Sequence, residues 1–115
     1  MTPGEPRPET DRLYRELDEF ACGTRGERLR LALAGEIIAL AHRAAAREPA
    51  LAEAMRNDPA GQAVREIARH WDPQATTARE YAETLPVAAL DRLLRAAPGW
   101  AARMRDGLRA GRLAA

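Results

Sequence analysis

Apolar residues along this chain recur at intervals of three and four, which is the spacing of one face of an α-helix. The longest such segment runs from about residue 25 to residue 47. On a helix that advances about 100° per residue, its apolar side chains share one arc that covers more than half of the circumference. The arc contains Leu29, Leu31, Leu33, Ala34, Ile37, Ile38, Leu40, Ala41, Ala44 and Ala45. Its width predicts a long central helix that neighbouring helices cover on several sides.

Capping and turn residues divide the rest of the chain into shorter helices. A helix is expected over about Pro8–Ala21, and both Asp58-Pro59 and Asp72-Pro73 place a capping aspartate before a proline suited to the first helical position. The Pro98-Gly99 pair predicts a break between the last two helices. Before that break, four apolar residues are expected to face inward, namely Val87, Leu90, Leu94 and Ala97. The pattern predicts an all-α fold, a compact bundle of six or seven short helices around the long helix at about 25–47.

Composition supports this fold class. Of the 115 residues, 26 are alanine and only five are valine or isoleucine, so the chain is rich in helix formers and poor in the residues that β-sheets prefer. The length suits one domain with its own core. Prolines and a glycine near the N-terminus predict a flexible arm over residues 1–8, followed by a single helical domain over residues 9–115.

The chemically reactive residue types are scarce, which excludes several classes of enzyme. The chain has no serine, no lysine, one cysteine and two histidines. A serine nucleophile, a lysine Schiff base, a phosphate-loop lysine, an iron–sulfur cluster and a three-histidine zinc site are therefore excluded within one chain. Glu66 and His70 would supply only half of a metal site, and Cys22 is expected to be a small buried side chain. We expect neither a metal nor a cofactor.

Nothing in the sequence predicts a membrane or export signal. The N-terminal residues lack the apolar stretch and the small-residue cleavage pattern of a signal peptide. The most apolar run, residues 31–41, is about half as long as a membrane span and contains Glu36. We therefore expect a cytoplasmic protein with no membrane partner.

A strip of small residues lies beside the apolar arc of the long helix. It consists of Ala32, Gly35, Ala39 and Ala46. Such a strip lets another helix approach closely, from the same chain or from a second copy. Because the sequence presents no acid/base pair, nucleophile–base pair or metal-ligand set, it favours a small non-enzymatic regulatory or adaptor protein. We expect it to bind another protein or a second copy of itself through these four residues.

Residues 63–85 suggest an alternative function in transcription. The run Glu66-Ile67-Ala68-Arg69-His70-Trp71-Asp72-Pro73-Gln74-Ala75-Thr76-Thr77-Ala78-Arg79-Glu80-Tyr81 resembles the helix-turn-helix unit of bacterial regulators and sigma factors. That family usually has a glycine and then an aliphatic residue at the turn, where this chain has Asp72-Pro73. The resemblance implies DNA binding, in which Arg69 would hold phosphates and the second helix would approach the bases through Thr76, Thr77, Arg79 and Glu80. Thr77–Glu80 also has the spacing of a capping box, and a helix that began there would leave too long a turn for the motif.

The two ends of the chain carry opposite charge. Residues 1–24 contain three arginines and six acids, whereas residues 87–115 contain six arginines and two acids. The ends are expected to pair within the molecule or between copies. Within the basic end, one helix face carries a stripe that would suit phosphate or an acidic partner, made of Arg105, Arg109 and Arg112.

A third alternative is a small helical-bundle enzyme. Its pocket would use arginines and carboxylates, the charged groups that this composition supplies in quantity. A pocket into which two arginines and one carboxylate converge would favour this alternative.

Overall fold

The computed structural model describes residues 8–22 and 29–114, and most of these residues are helical. The six helices are α1 (Pro8–Ala21), α2 (Arg30–Arg47), α3 (Pro49–Ala54), α4 (Pro59–Ala68), α5 (Ala78–Glu83) and α6 (Val87–Ala114). No β-strand occurs within the two described ranges. The predicted all-α class is confirmed. The predicted arm at residues 1–8 lies outside the described residues, apart from Pro8 at the start of α1.

Helix α2 lies at the centre and packs against each of the other five helices. Residues from its predicted apolar arc form the middle of the core, where Ile37 and Ile38 are fully buried. The predicted start near residue 25 is wrong, because Leu29 has the non-helical dihedrals φ −56° and ψ 140° and α2 begins at Arg30. Leu29 therefore lies outside the helix and its buried arc, and it is 72% exposed. The predicted capping residues 24–27 lie outside the described residues.

The longest helix is α6, and the break predicted at Pro98-Gly99 is wrong. Residues 87–114 form one helix of 28 residues with Pro98 inside it. Pro98 itself is exposed, and one buried face of the helix continues past it. This face consists of Leu93, Ala97, Trp100, Ala101, Met104 and Leu108. Burial on both sides of Pro98 offsets the hydrogen bond that proline cannot donate. The face is rotated from the predicted one, since Leu93 is fully buried while Val87 is 74% exposed.

The start of α4 agrees with the sequence. Asp58 is the N-cap residue, and its Oδ2 accepts a hydrogen bond from the backbone N–H of Gly61 at 2.9 Å. Its other oxygen, Oδ1, pairs with Nε of Arg103 on α6 at 2.6 Å. One carboxylate therefore both begins α4 and joins it to α6.

The helix predicted to begin at Pro73 is absent from the described fold. Asp72 starts a single turn, in which its side chain accepts from the backbone N–H of Gln74 and its carbonyl from that of Thr76. The next helix, α5, begins only at Ala78, because Thr77 and Glu80 form a capping box that satisfies two backbone donors. The segment between α4 and α5, residues 69–77, is thus nine residues long.

The oppositely charged ends pair within the molecule. Helix α1 packs along α6, and Arg105 Nη1 lies 3.0 Å from Oδ1 of Asp18. Arg109 donates to the hydroxyl of Tyr14, and its guanidinium carbon lies 5.7 Å from the centre of the Tyr14 ring. No helix of the described residues is both long enough and apolar enough to cross a membrane.

Candidate functional site

A cleft opens between α2, α3, α4 and α6, and we refer to it as the cleft throughout. Its volume is about 310 Å³, at the lower end of the roughly 300–1,000 Å³ typical of small-molecule sites. The lining residues on α2, on α3 and at the C-cap of α3 are Ala41, His42, Ala44, Ala45, Pro49, Ala52, Glu53 and Met55. Those on α4, at its C-cap and on α6 are Gly61, Val64, Arg65, Ala68, Arg69, Trp100 and Met104. Most of these side chains are apolar, and the charged ones are exposed.

The floor of the cleft is apolar core. Val64 and Met104 are fully buried, and Trp100 is 5% exposed. The walls, by contrast, are mostly alanine, which is too small to fill the space between diverging helices. The alanine-rich composition therefore leaves a concave surface where larger side chains would have closed the core.

Glycines determine how closely the helices around the cleft approach one another. A Cβ atom at Gly61 would lie 2.8 Å from the backbone oxygen of Met55, so α4 packs directly on the end of α3. A Cβ atom at Gly107 would collide with the side chain of Leu51, which holds α3 on α6. These two contacts fix α3 as the wall at one end of the cleft.

The rim of the cleft carries more positive than negative charge. Arg65 and Arg69 lie one turn apart on α4 and at its C-terminal end, and Glu53 lies opposite them on α3. Both oxygens of Glu53 are engaged by guanidinium groups, Oε1 by Arg56 at 2.7 Å and Oε2 by Arg65 at 3.5 Å. The single acidic residue of the lining is therefore already neutralised.

His42 completes the rim on the α2 side. Its ring packs edge-on against Trp71, with ring centroids 5.3 Å apart and an interplanar angle of 74°. Trp71 in turn donates from Nε1 to the carbonyl of Thr76 at 3.0 Å. The segment 69–77 is thus tied to the edge of the cleft, and His42 packs as an aromatic group there.

No protein-family model matches the chain, and no curated protein or solved structure is significantly similar to it. Function must therefore follow from the chemistry of the described residues.

The predicted small-residue strip is partly covered by the chain itself. A Cβ atom at Gly35 would lie 3.0 Å from Cα of Arg79, so α5 packs directly on this glycine. Ala32 and Ala39 are half-buried, and Ala46 is the one member of the strip that is exposed. The close helix approach that the strip predicts is thus made at Gly35 within the chain, which leaves Gly35 unavailable to a second copy.

The residues predicted to contact DNA have structural roles in the segment that joins α4 to α5. Thr77 and Glu80 form the capping box, and Arg79 Nε lies 3.8 Å from Glu83 of the same helix. The carbonyl of Thr76 accepts from Trp71, and Arg69 lines the cleft. A helix-turn-helix unit joins its helices by a turn of three or four residues, whereas nine residues join α4 to α5.

The predicted basic stripe on α6 faces α1. Arg105 donates hydrogen bonds to Asp18 and Asp106. Both bonds raise the pKa of its guanidinium, and the bond to Asp18 has the larger effect. Arg109 is bound to Tyr14. The side chain of Arg112 lies outside the described residues. Within the chain, Arg105 thus binds an acid of α1 and Arg109 a tyrosine of α1. Binding of phosphate or of another acidic partner by the stripe stays a prediction.

The remaining candidate groups also take part in contacts between elements. No group of three or more metal-ligating side chains occurs among the residues that the structure describes. Glu66 pairs with Arg92 at 3.3 Å, and Arg69 Nε lies 3.4 Å from Nε2 of His70. The expectation of a buried Cys22 is wrong, because Cys22 is exposed at the end of α1, where its thiol lies 3.7 Å from Asp18.

Sequence reasoning missed the cleft, although part of its chemistry was visible. Arg65 and Arg69 are four residues apart, a spacing that places both on one face of α4. That this face of α4 meets α2 and α3 depends on tertiary packing, for which no local signal exists.

Proposed function

We propose that this protein is a small, non-enzymatic regulatory protein of the cytoplasm that holds a small, largely apolar molecule in the cleft. The observation that carries the proposal is the combination of an apolar floor, at Val64, Trp100 and Met104, with a volume of about 310 Å³. Val64, Trp100 and Met104 are already shielded from water. The surface that a ligand would newly cover therefore belongs mainly to the alanine-rich walls of the cleft, where burial of apolar area gains about 25 cal/mol per Å².

The reactive groups near the cleft favour binding over catalysis. Glu53 faces a guanidinium group at each oxygen, and His42 packs against Trp71. These contacts place both side chains at the rim, where they restrict entry and orient a ligand.

The experiment is a titration with neutral apolar probes, 1-hexanol to 1-decanol, followed by NMR of the two tryptophan indole N–H signals. We expect the Trp100 signal to shift and to saturate, because Trp100 lines the cleft. A Trp71→Phe variant assigns the two signals. Failure of every alcohol to shift the Trp100 signal up to its solubility limit would refute the proposal.

Two adjacent alanines of α2 provide a matched pair of variants. Ala45 lines the cleft, whereas Ala46 is exposed beside it and does not. We expect Ala45→Phe to fill the cleft and weaken alcohol binding at least tenfold, and Ala46→Phe to leave binding unchanged. Equal affinities in both variants, with both proteins folded by circular dichroism, would place the binding elsewhere.

A second candidate function is the small helical-bundle enzyme. The observation that favours it is that two arginines and one carboxylate, Arg65, Arg69 and Glu53, converge on the cleft. Its test is prolonged incubation with a mixture of small carboxylic acids and esters, with products followed by mass spectrometry. Conversion that is lost in Glu53→Gln would favour the enzyme, and recovery of every compound unchanged would favour the binding protein.

The protein partner or second copy expected from the sequence stays a prediction. Of the four strip residues, Ala46 has the exposure that such a contact requires. The Ala46→Phe variant therefore also tests this interface, because it would change the mass in solution if a second copy bound there.

A further inference from the structure

The charge at the rim of the cleft restricts which apolar molecule fits. Arg65 shares the carboxylate of Glu53, which Arg56 also binds. Arg69 lies on the same side of α4 as Arg65. Among residues 8–22 and 29–114 it forms no ion pair with a carboxylate, and its Nε donates to Nε2 of His70 at 3.4 Å. Because Arg69 is a cation at the mouth of an apolar cleft and has no carboxylate partner there, it favours a ligand that carries a negative charge.

The guanidinium group of Arg69 is suited to a carboxylate. It offers N–H donors in a planar fork that matches two carboxylate oxygens, and it stays charged at all physiological pH values. The apolar floor lies below the rim, so a ligand that extends from Arg69 into the cleft would place its tail on Val64, Trp100 and Met104. The charged end of such a ligand then meets the charged rim, and its apolar end meets the apolar floor.

We infer that the ligand is an amphipathic monocarboxylate, whose carboxylate binds Arg69 and whose apolar tail lies in the cleft. This inference rests on the proposed function and names the chemical class of the ligand. Each methylene that enters the cleft should tighten binding about fourfold, the equivalent of about 0.8 kcal/mol, until the cleft is full.

The experiment compares three probes that share one tail, namely octanoate, 1-octanol and octylammonium, titrated at pH 7.5 into the full chain and followed by calorimetry. We expect octanoate to bind about tenfold more tightly than 1-octanol, because a hydrogen bond to a charged group contributes more than a neutral one. Octylammonium should bind most weakly of the three. The advantage of octanoate should shrink as salt is raised, since the rim is exposed.

Two arginine variants separate a local contact from a change in net charge. Arg69→Gln should lower octanoate affinity to that of 1-octanol and leave 1-octanol unaffected. Arg95→Gln removes the same charge from an exposed site on α6 that is not part of the cleft, and should leave both affinities within about twofold.

The outcomes distinguish this inference from the proposed function. If 1-octanol and octanoate bind equally well, and Arg69→Gln affects neither, the cleft binds apolar molecules and the carboxylate inference is wrong. If no probe binds, the proposed function fails. If octylammonium binds most tightly, Glu53 and not Arg69 sets the preference, and the inference is overturned.

Discussion

Gly35 of α2 lies directly beneath Arg79 of α5, so closely that a Cβ atom on the glycine would be 3.0 Å from Cα and 3.1 Å from the backbone nitrogen of the arginine. In the sequence these residues belong to competing hypotheses, since Gly35 was predicted to contact a second copy and Arg79 to contact DNA. In the fold they contact each other. The absence of a side chain at position 35 is what allows α5 to pack on the central helix.

This contact predicts that Gly35→Leu destabilises the protein. A leucine at this position would have to displace the backbone of α5, and overpacking of this kind costs about 1–3 kcal/mol. We expect urea denaturation to show a loss of about 2 kcal/mol. Sedimentation should show no change in mass at the same concentration, because a residue covered by α5 cannot contact a second copy.

The same substitution at Gly111 is the control. Gly111 lies in α6, and beyond its chain neighbours and the adjacent backbone of its own helix no atom lies within 4 Å of a built Cβ atom. Gly111→Leu should leave stability unchanged or raise it by up to about 1 kcal/mol, since leucine is the better helix former. A dimer of the natural protein that Gly35→Leu converts to monomer would show that the original interface prediction was right.

The helices predicted best are those whose signals are local. Asp58-Pro59 began a helix as expected because the capping aspartate and the proline act on the backbone beside them. The buried positions of α2, such as Ile37 and Ile38, followed from periodicity alone. Pro98 was misjudged because its local preference against helix is outweighed by burial on both sides of it, from Leu93 to Leu108. That burial depends on tertiary packing, which local turn signals do not measure.

A continuous α6 predicts that Pro98→Ala stabilises the protein. Alanine restores a backbone N–H that can donate to the carbonyl of Leu94, and it removes the proline ring from a helix interior, where proline is unfavourable by about 3 kcal/mol. The more flexible unfolded chain offsets up to about 1 kcal/mol of this gain. We expect a net increase of about 2–3 kcal/mol in the free energy of unfolding, measured by urea denaturation.

Pro86→Ala should have the opposite sign. Pro86 stands just before α6, where the helix needs no backbone N–H donor, and its carbonyl accepts from the backbone N–H of Leu90 at 2.9 Å. Replacing it by alanine only raises the conformational entropy of the unfolded chain, so the free energy of unfolding should fall by up to about 1 kcal/mol. Two interrupted helices meeting at Pro98-Gly99 would instead make both proline variants neutral or destabilising.

The candidate site was less predictable than the fold. The charged residues of the cleft, Arg65, Arg69 and Glu53, belong to two helices whose mutual approach depends on Gly61 and Gly107. A glycine that a neighbouring helix contacts looks in the sequence like any other helical glycine. The position of the cleft could therefore not be derived from spacing, although the excess of small side chains that creates it was evident from composition.

The two contacts of Asp58 predict different effects for two substitutions. Asp58→Ala removes both the cap of α4 and the partner of Arg103, and should lower the free energy of unfolding by about 1–2 kcal/mol. Asp58→Asn keeps an acceptor for the Gly61 N–H and should cost less than about 1 kcal/mol. A double-mutant cycle with Arg103→Ala measures the ion pair separately, and equal losses for the Asn and Ala variants would mean that the cap contributes nothing.

The capping box of α5 predicts a pH dependence that Glu80→Gln removes. The backbone N–H and the hydroxyl of Thr77 hold the pKa of the Glu80 carboxyl below its usual value of 4.5 in the folded protein. A carboxyl whose pKa is lowered by folding stabilises the protein at pH values above its unfolded pKa, and this contribution is lost as pH falls through the lowered, folded value. Glutamine still accepts a hydrogen bond from Thr77 but does not titrate in this range. The stability difference between the natural protein and Glu80→Gln should therefore be constant above about pH 5.5 and should shift against the natural protein as pH falls below about 4.5. Thermal unfolding across that range measures the difference, and a constant difference down to pH 3 would show that Glu80 does not bond Thr77 in solution.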